Sequence, residues 1–308
     1  MRVSNNRQLV IQEVAPRDGF QIESKFIPTA QKIQFIDALS RTGLSKIEVT
    51  SFTAPAAIPA LADAEAVMAQ ITRVKGVEYG ALVPNLRGCE RALSSRVDEI
   101  NLVMSASESH NRANLRMSCE RSLSQFSEIA VVARGRAQIR ASLSTTFGCP
   151  FEGPISIERI LELIERFVAL QIRRVSLADT IGVANPRQVE QLCTQVRTRW
   201  PDVEFTAHFH NTRGMGLANA VSALRAGIDH FDASLGGLGG CPFAPGATGN
   251  ICTEDLVHMF HAMGYCTGID LDALLGVAAG LRQIVEHEVF GYVSKAGPWL
   301  PRAESPSS

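Results

Sequence analysis

Two histidines two residues apart, His208 and His210, lie in the run Glu204-Phe205-Thr206-Ala207-His208-Phe209-His210, which otherwise reads as a buried strand. Side chains of a strand alternate between its faces, so both imidazoles point the same way, roughly 7 Å apart along the chain. At that spacing both rings can reach one metal ion. A hydrogen-bonded pair of core or surface histidines would show the same spacing, so the motif needs hard ligands from elsewhere. Asp18, in Arg17-Asp18-Gly19, and Asn250, which follows Gly249, are the candidates. One carboxylate, two imidazoles and one amide oxygen suit a six-coordinate Mg²⁺, Mn²⁺ or Co²⁺. Zinc prefers a tetrahedral site richer in nitrogen and sulfur. Taken alone, Asp18 and Asn250 are equally well read as turn residues beside glycine. His110, His230, His258, His261 and His287 have no neighbouring ligand partner and read as core or surface residues.

Arg17 sets a guanidinium beside Asp18, where it could stabilise a developing oxyanion. Pairing with a carboxylate inside the fold is the equal alternative. Glu48 and Asp179 could supply that carboxylate, or could orient the histidines from behind. Cys241 stands in Gly236-Gly237-Leu238-Gly239-Gly240-Cys241-Pro242, and six glycines fall between Gly236 and Gly249. A thiol in so glycine-rich a loop fits a mobile lid carrying an acid, base or nucleophile. The plainer alternative is a turn-rich phosphate cradle with an incidental cysteine.

The elements that must position these groups are short apolar runs alternating with helical patterns. Residues 9–14, 46–50, 80–83, 99–104, 139–145, 174–178, 204–208 and 230–234 read as strands. Helical spacing marks 29–42, 118–134, 156–170, 186–200, 215–226 and 253–263, and 271–290 reads as an extra C-terminal helix. Eight strands in such alternation predict an α/β fold, a single (β/α)8 TIM barrel over residues 1–300, with a disordered tail at 301–308. An open doubly wound sheet would want a glycine-rich phosphate loop after its first strand, and none is there. In a barrel the chemistry sits at the C-terminal strand ends. Arg17, Asp18, Glu48, Asp179, His208 and His210 all fall at such ends.

Composition narrows the setting. The 308 residues are 45% hydrophobic and 20% charged, ordinary for a chain with a large core. A net charge of −1 leaves no electrostatic footprint for nucleic acid or an anionic membrane. No apolar run approaches the ~20 residues of a membrane helix. Met1 to Gln8 has neither the apolar core of a signal peptide nor the look of a transit peptide, so a cytoplasmic protein is expected. Seven cysteines without a Cys-x-x-Cys pair predict reduced thiols, most of them buried, and no structural zinc.

Arg17-Asp18-Gly19, Glu48-Val49-Thr50-Ser51-Phe52, Ser176 to Gly182, His208-Phe209-His210-Asn211-Thr212 and Gly237 to Pro242 together resemble the 3-hydroxy-3-methylglutaryl-CoA lyase family, in order and spacing, from about Val14 to Leu281. The resemblance implies a TIM-barrel lyase binding Mg²⁺ or Mn²⁺ through Asp18, His208, His210 and Asn250. It implies that Arg17 holds an enolate, that His208, Glu48, Asp179 and Cys241 move or support protons, and that the partner is an acyl-CoA thioester. It also implies a homodimer. Phe20, Ile22 and Ser24 depart from the leucine, asparagine and lysine of the best-known lyases, and Asn211 and Arg213 from an aspartate and a tyrosine. These departures put substrate choice in question. The expected reaction is retro-Claisen cleavage of a 3-hydroxyacyl-CoA. Its rivals are a lyase for a related thioester such as citramalyl-CoA, an acetyl-CoA-dependent condensing synthase, and a non-catalytic acyl-CoA or metal-binding protein.

Overall fold

A computed structural model of the chain describes residues 8–240 and 249–299. Eight parallel strands close into a barrel in sequence order: β1 (Val10–Glu13), β2 (Lys46–Ser51), β3 (Glu78–Leu82), β4 (Glu99–Ser105), β5 (Gln138–Ser144), β6 (Arg174–Asp179), β7 (Glu204–Phe209) and β8 (His230–Ala233). The ring closes where β8 pairs with β1, Asp232 lying opposite Gln12. On β7, His208 lies opposite Ala178 of β6 and Asp232 of β8. The (β/α)8 barrel expected from the alternation is the fold observed.

Strand residues alternate in character as well as direction. Ile47, Val49, Ile100, Leu102, Val175, Leu177, Phe205 and Ala207 are buried in the apolar layer shared with the helices. The positions facing the other way are polar or charged, and the charged ones meet across the barrel. Lys46 on β2 pairs with Glu99 on β4 at 2.6 Å, and Arg140 on β5 reaches Asp232 on β8 at 2.9 Å. Contacts between non-adjacent strands place these side chains inside. Such barrels usually fill their interior with branched aliphatic layers; here an ionic column occupies the axis.

Helices wrap the outside: α1 (Thr29–Leu39), α2 (Ala64–Gln70), α3 (Leu86–Ser94), α4 (Glu108–Leu115), α5 (Cys119–Ala133), α6 (Ile157–Ala169), α7 (Pro186–Arg199), α8 (Gly216–Arg225), α9 (Thr253–Ala262), α10 (Leu271–Val285) and α11 (Tyr292–Ala296). Local chemistry explains their limits. Ser156 caps α6 by accepting the Arg159 N–H, and Ile160, Leu163, Ile164 and Phe167 form its buried face. Asn185 and Gln188 cap α7 reciprocally, with Pro186 at its first position. The C-terminal helix is shorter than its pattern suggests. It ends at Val285 because Glu286 turns into the left-handed region at φ 59°, and α11 follows as a separate turn. Beyond it, the tail expected at 301–308 lies outside the described residues. Of the six described cysteines, all are unpaired, and only Cys266 is exposed. Among the described residues no helix is long and apolar enough to cross a membrane.

Candidate active site

Immediately after β1 the chain makes a tight π-type turn, Ala15–Gly19, in which the N–H groups of Arg17 and Asp18 point back to the Val14 carbonyl. The turn projects two consecutive side chains into the barrel mouth. Both are buried, at 8% and 7% exposure, which for an arginine and an aspartate demands partners. Arg17 Nη1 donates to Asp18 Oδ1 at 2.6 Å, while Nε and Nη2 both approach Glu48 Oε2 at 2.5 Å. Three of five guanidinium N–H groups are thereby used, leaving one on each terminal nitrogen. Burial works to lower the guanidinium's pKa, but the Glu48 and Asp18 carboxylates outweigh it and hold it above its usual value. Asp18 is the mirror case. Burial pushes it up, yet Arg17, the two histidines and the Asn250 amide bring it below the ordinary carboxylate range.

His208 is the penultimate residue of β7 and His210 lies one residue past the strand's end, their ring centroids 5.2 Å apart. One ligand atom from each of Asp18, His208 and His210 can be chosen so that all lie within 4.8 Å of one another. Asn250 reaches the cluster by backbone pairing. Asn211 N–H donates to the Gly249 carbonyl and Ile251 N–H to the Phe209 carbonyl, so residues 249–252 run beside the end of β7 with Asn250 bridged to His210. Its Nδ2 donates to Asp18 Oδ2 at 2.7 Å and to the Leu238 carbonyl at 2.9 Å. Two buried polar atoms here, Asn250 Oδ1 and His210 Nδ1, have no hydrogen-bond partner among the described residues. Buried acceptors seldom go unpaired. The Asp18, His208 and His210 cluster, with these two unpartnered atoms beside it, offers carboxylate, imidazole and amide donors that fit a hard divalent cation. Burial, followed by the neighbouring His208, drives His210 down to about 4, so it is neutral and able to ligate at pH 7.

Glycine makes this approach possible at two positions. A Cβ on Gly239 (φ 101°) would lie 2.6 Å from Asn250 Nδ2, and one on Gly249 (φ 91°) would lie 1.9 Å from the Gly237 carbonyl oxygen. The near flank of the loop is pinned: the Leu235 N–H is held by Glu13 and the Gly236 N–H by Glu254. Residues 241–248 lie outside the described residues, and with them Cys241.

The two carboxylates expected behind the site have different partners. Glu48 serves Arg17 and also accepts Asn101 Nδ2 at 2.6 Å. Asp179 accepts the Val183 and Ala184 N–H groups at 2.9 and 3.1 Å. Burial raises it to about 6, its backbone donors pulling the other way. Neither orients a histidine by hydrogen bond. That position belongs to Asp232 on β8, whose Oδ2 is 3.2 Å from His208 Nδ1. Sequence reasoning passed over Asp232 and Arg140; the only signal was a charge at the inward position of Phe231-Asp232-Ala233 and of Ile139-Arg140-Ala141.

The five departures resolve by place. Phe20 is buried against Phe35, ring centroids 5.2 Å apart, while Ile22 and Ser24 are exposed. Asn211 Oδ1 accepts the Gly216 N–H at the start of α8. Arg213 Nη1 donates to the Ile181 and Gly182 carbonyls, just past Asp179, and its charge is felt there. A cavity of about 700 Å³ whose walls include Arg134, Arg136, Arg174 and Glu204 lies at the opposite, N-terminal end of the strands, away from this chemistry.

Known proteins resemble this chain over most of its length. A family model described as HMGL-like matches residues 8–280. Hydroxymethylglutaryl-CoA lyase YngG of Bacillus subtilis is 48% identical over 278 residues, 90% of this chain and 93% of that protein. The (R)-citramalyl-CoA lyase of Chloroflexus aurantiacus is 40% identical over 308 residues, 96% and 97% of the two chains. A solved HMG-CoA lyase from Acinetobacter baumannii, in complex with coenzyme A and 3-methylmalate, superposes with a TM-score of 0.93 at 48% identity, covering 97% of this chain and 98% of that one.

Proposed function

The chain belongs to the HMGL-like family, and from that premise we propose that it is a cation-dependent carbon–carbon lyase cleaving 3-hydroxy-3-methylglutaryl-CoA to acetyl-CoA and acetoacetate. The observation that carries this reading is the convergence of Asp18, His208 and His210, with Arg17 bonded to Asp18, at the barrel mouth. These three residues and Asn250 would hold Mg²⁺ or Mn²⁺, which would supply Lewis acidity to the cleavage.

The residues of the chain do the rest. Loss of the tertiary hydroxyl proton turns C3 into a carbonyl, the C2–C3 bond breaks, and its electron pair passes into a thioester enolate as the keto acid leaves. Asp179 is the group assigned to that proton; at about 6 it is tuned near neutrality as a proton acceptor should be, while His208, with Nδ1 facing Asp232, supports the site. Arg17, fixed by Glu48, offers its two free N–H groups to the enolate oxygen. Cys241 is assigned, from its place in the sequence, to the proton that converts the enolate to acetyl-CoA.

A second reading has its own support. The 40% identity to a citramalyl-CoA lyase, together with Arg213 beside the Asp179 loop, favours a shorter diacid thioester that would release pyruvate. One experiment tests both. Protein stripped with a chelator and resupplied with Mg²⁺ or Mn²⁺ is offered each thioester, and acetyl-CoA and the keto acid are quantified. Metal-dependent acetyl-CoA with acetoacetate supports the first reading, and a strong preference for citramalyl-CoA the second. No acetyl-CoA from any hydroxyacyl thioester removes the lyase assignment.

A further inference from the structure

His208 has two ring nitrogens, and only one can meet a cation. Its Nδ1 faces Asp232 Oδ2 at 3.2 Å. The other carboxylate oxygen, Oδ1, accepts Arg140 Nη1 at 2.9 Å, and Ser176 Oγ lies 3.4 Å from Oδ2. Asp232 and Arg140 are 3% and 1% exposed, so neither is free to turn toward water. Arg140 in turn stands 3.4 Å from Glu99 and 3.7 Å from Glu48, the carboxylate that holds Arg17. The buried guanidinium is thus flanked by carboxylates from β2, β4 and β8, and its hydrogen bond to Asp232 holds that carboxylate in place.

We propose that Asp232, locked by Arg140, is a positioning residue that holds His208 as its Nδ1–H tautomer and so presents Nε2 to the cation. The inference rests on the cation reading of the site and needs no particular thioester. Nδ1 can donate only if it carries the ring's proton, and a neutral ring then keeps its lone pair on Nε2. Carboxylates behind ligating histidines act in this way, and their loss typically costs 10–100-fold in metal affinity. A purely structural Asp232 that only balances Arg140 would affect folding and leave both tautomer and affinity alone.

Two measurements on the full-length protein decide between these roles. Mn²⁺ binding is followed by calorimetry for wild type, Asp232→Asn and Asp232→Glu, with urea unfolding of each as the folding control. Long-range ¹H–¹⁵N spectra of the cation-free wild type report the His208 tautomer, the resonance being the one missing from His208→Gln. Folded Asp232→Asn is expected to bind Mn²⁺ about 10–100-fold more weakly, with partial recovery in Asp232→Glu. The wild-type ring is expected to show protonated Nδ1 and bare Nε2. An Asp232→Asn variant that folds and binds within about twofold of wild type overturns the proposal. So does a wild-type ring protonated on Nε2, even if the asparagine variant does not fold. Absence of Mn²⁺ binding by wild type would remove the cation reading instead, and the tautomer would still be read.

Discussion

Arg17 is where the two halves of the site meet, since its guanidinium joins a candidate ligand, Asp18, to a carboxylate with no exposure, Glu48. Two of its N–H groups remain for a substrate oxygen, which is the inventory an oxyanion-holding residue needs. Arg17→Gln is therefore expected to lower kcat by about 10²–10³, the scale for losing one such donor. Mn²⁺ affinity, measured without substrate, should change far less, because glutamine can still donate to Asp18. A loss confined to KM would make Arg17 a substrate anchor. His210→Ala asks about the cation itself: its nitrogen is a buried acceptor without a partner, and its removal should weaken Mn²⁺ binding by roughly 10-fold or more. Full metal occupancy of the purified variant would remove it from the ligand set. At this scale the sequence was legible where residue type and local spacing carry the chemistry, as in Arg17-Asp18 and His208-x-His210. It was silent on Asp232 and Arg140, which come together from strands 92 residues apart. A single charge in an apolar strand looks the same whether it faces a site or another charge.

The elements were read best where their own periodicity is complete. All eight strands appear, because short apolar runs bounded by turn residues mark them, and along most of them inward and outward positions differ in polarity. Helices α2, α3 and α4 were missed for the converse reason. They run only seven to nine residues, and α4, Glu-Ser-His-Asn-Arg-Ala-Asn-Leu, has no apolar stripe to announce it. The extra helix at 271–290 failed at its end, where no glycine or proline marks the left-handed turn at Glu286. The segment that matters most to function, Gly249 to Cys252, has no regular secondary structure and is held beside the end of β7 by backbone pairing. Gly249 sets its path. Gly249→Ala adds a Cβ that would meet the Gly237 carbonyl oxygen at 1.9 Å, besides the strain of φ 91°. Gly76 has the same φ with nothing within 4 Å, so Gly76→Ala measures the strain alone. The expected outcome is a loss of about 1–3 kcal/mol in urea unfolding for Gly76→Ala and a larger one for Gly249→Ala. Weakened Mn²⁺ binding should accompany only the second, because Asn250 must move with its neighbour. Equal losses and unchanged Mn²⁺ binding in both would mean that the segment shifts without disturbing the site.

Across the whole molecule, buried carboxyl groups divide into two sets with opposite effects on pH dependence. Asp18, Glu99 and Asp232 face guanidinium or ammonium groups and are held below their ordinary values. Their stabilisation is complete above the unfolded-state pKa and is lost as pH falls through the folded one, which makes them the acid-labile part of the fold. Glu13 belongs to the other set. Its carboxyl joins the Arg17-Asp18 turn to the glycine-rich loop, accepting the Ala15 and Leu235 N–H groups on Oε1 and the Thr253 hydroxyl on Oε2. Among the described residues no cation faces it, and Glu254 is nearby. Burial lifts it from 4.5 to about 7, the three hydrogen bonds working against the rise. Between those values the folded protein retains a proton that the unfolded chain has released, so stability must fall as pH rises through the window. At about 1.4 kcal/mol per unit the contribution approaches roughly 3 kcal/mol by neutrality. Glutamine imitates the protonated group: its oxygen can accept both N–H groups, and its amide can donate to the Thr253 oxygen. Urea unfolding of wild type and Glu13→Gln at intervals from pH 5 to 8 isolates the effect, since every other titrating group is common to both. Relative to the variant, wild type is expected to lose about 2–3 kcal/mol over that range, and parallel curves would show that Glu13 ionises alike in the folded and unfolded chain.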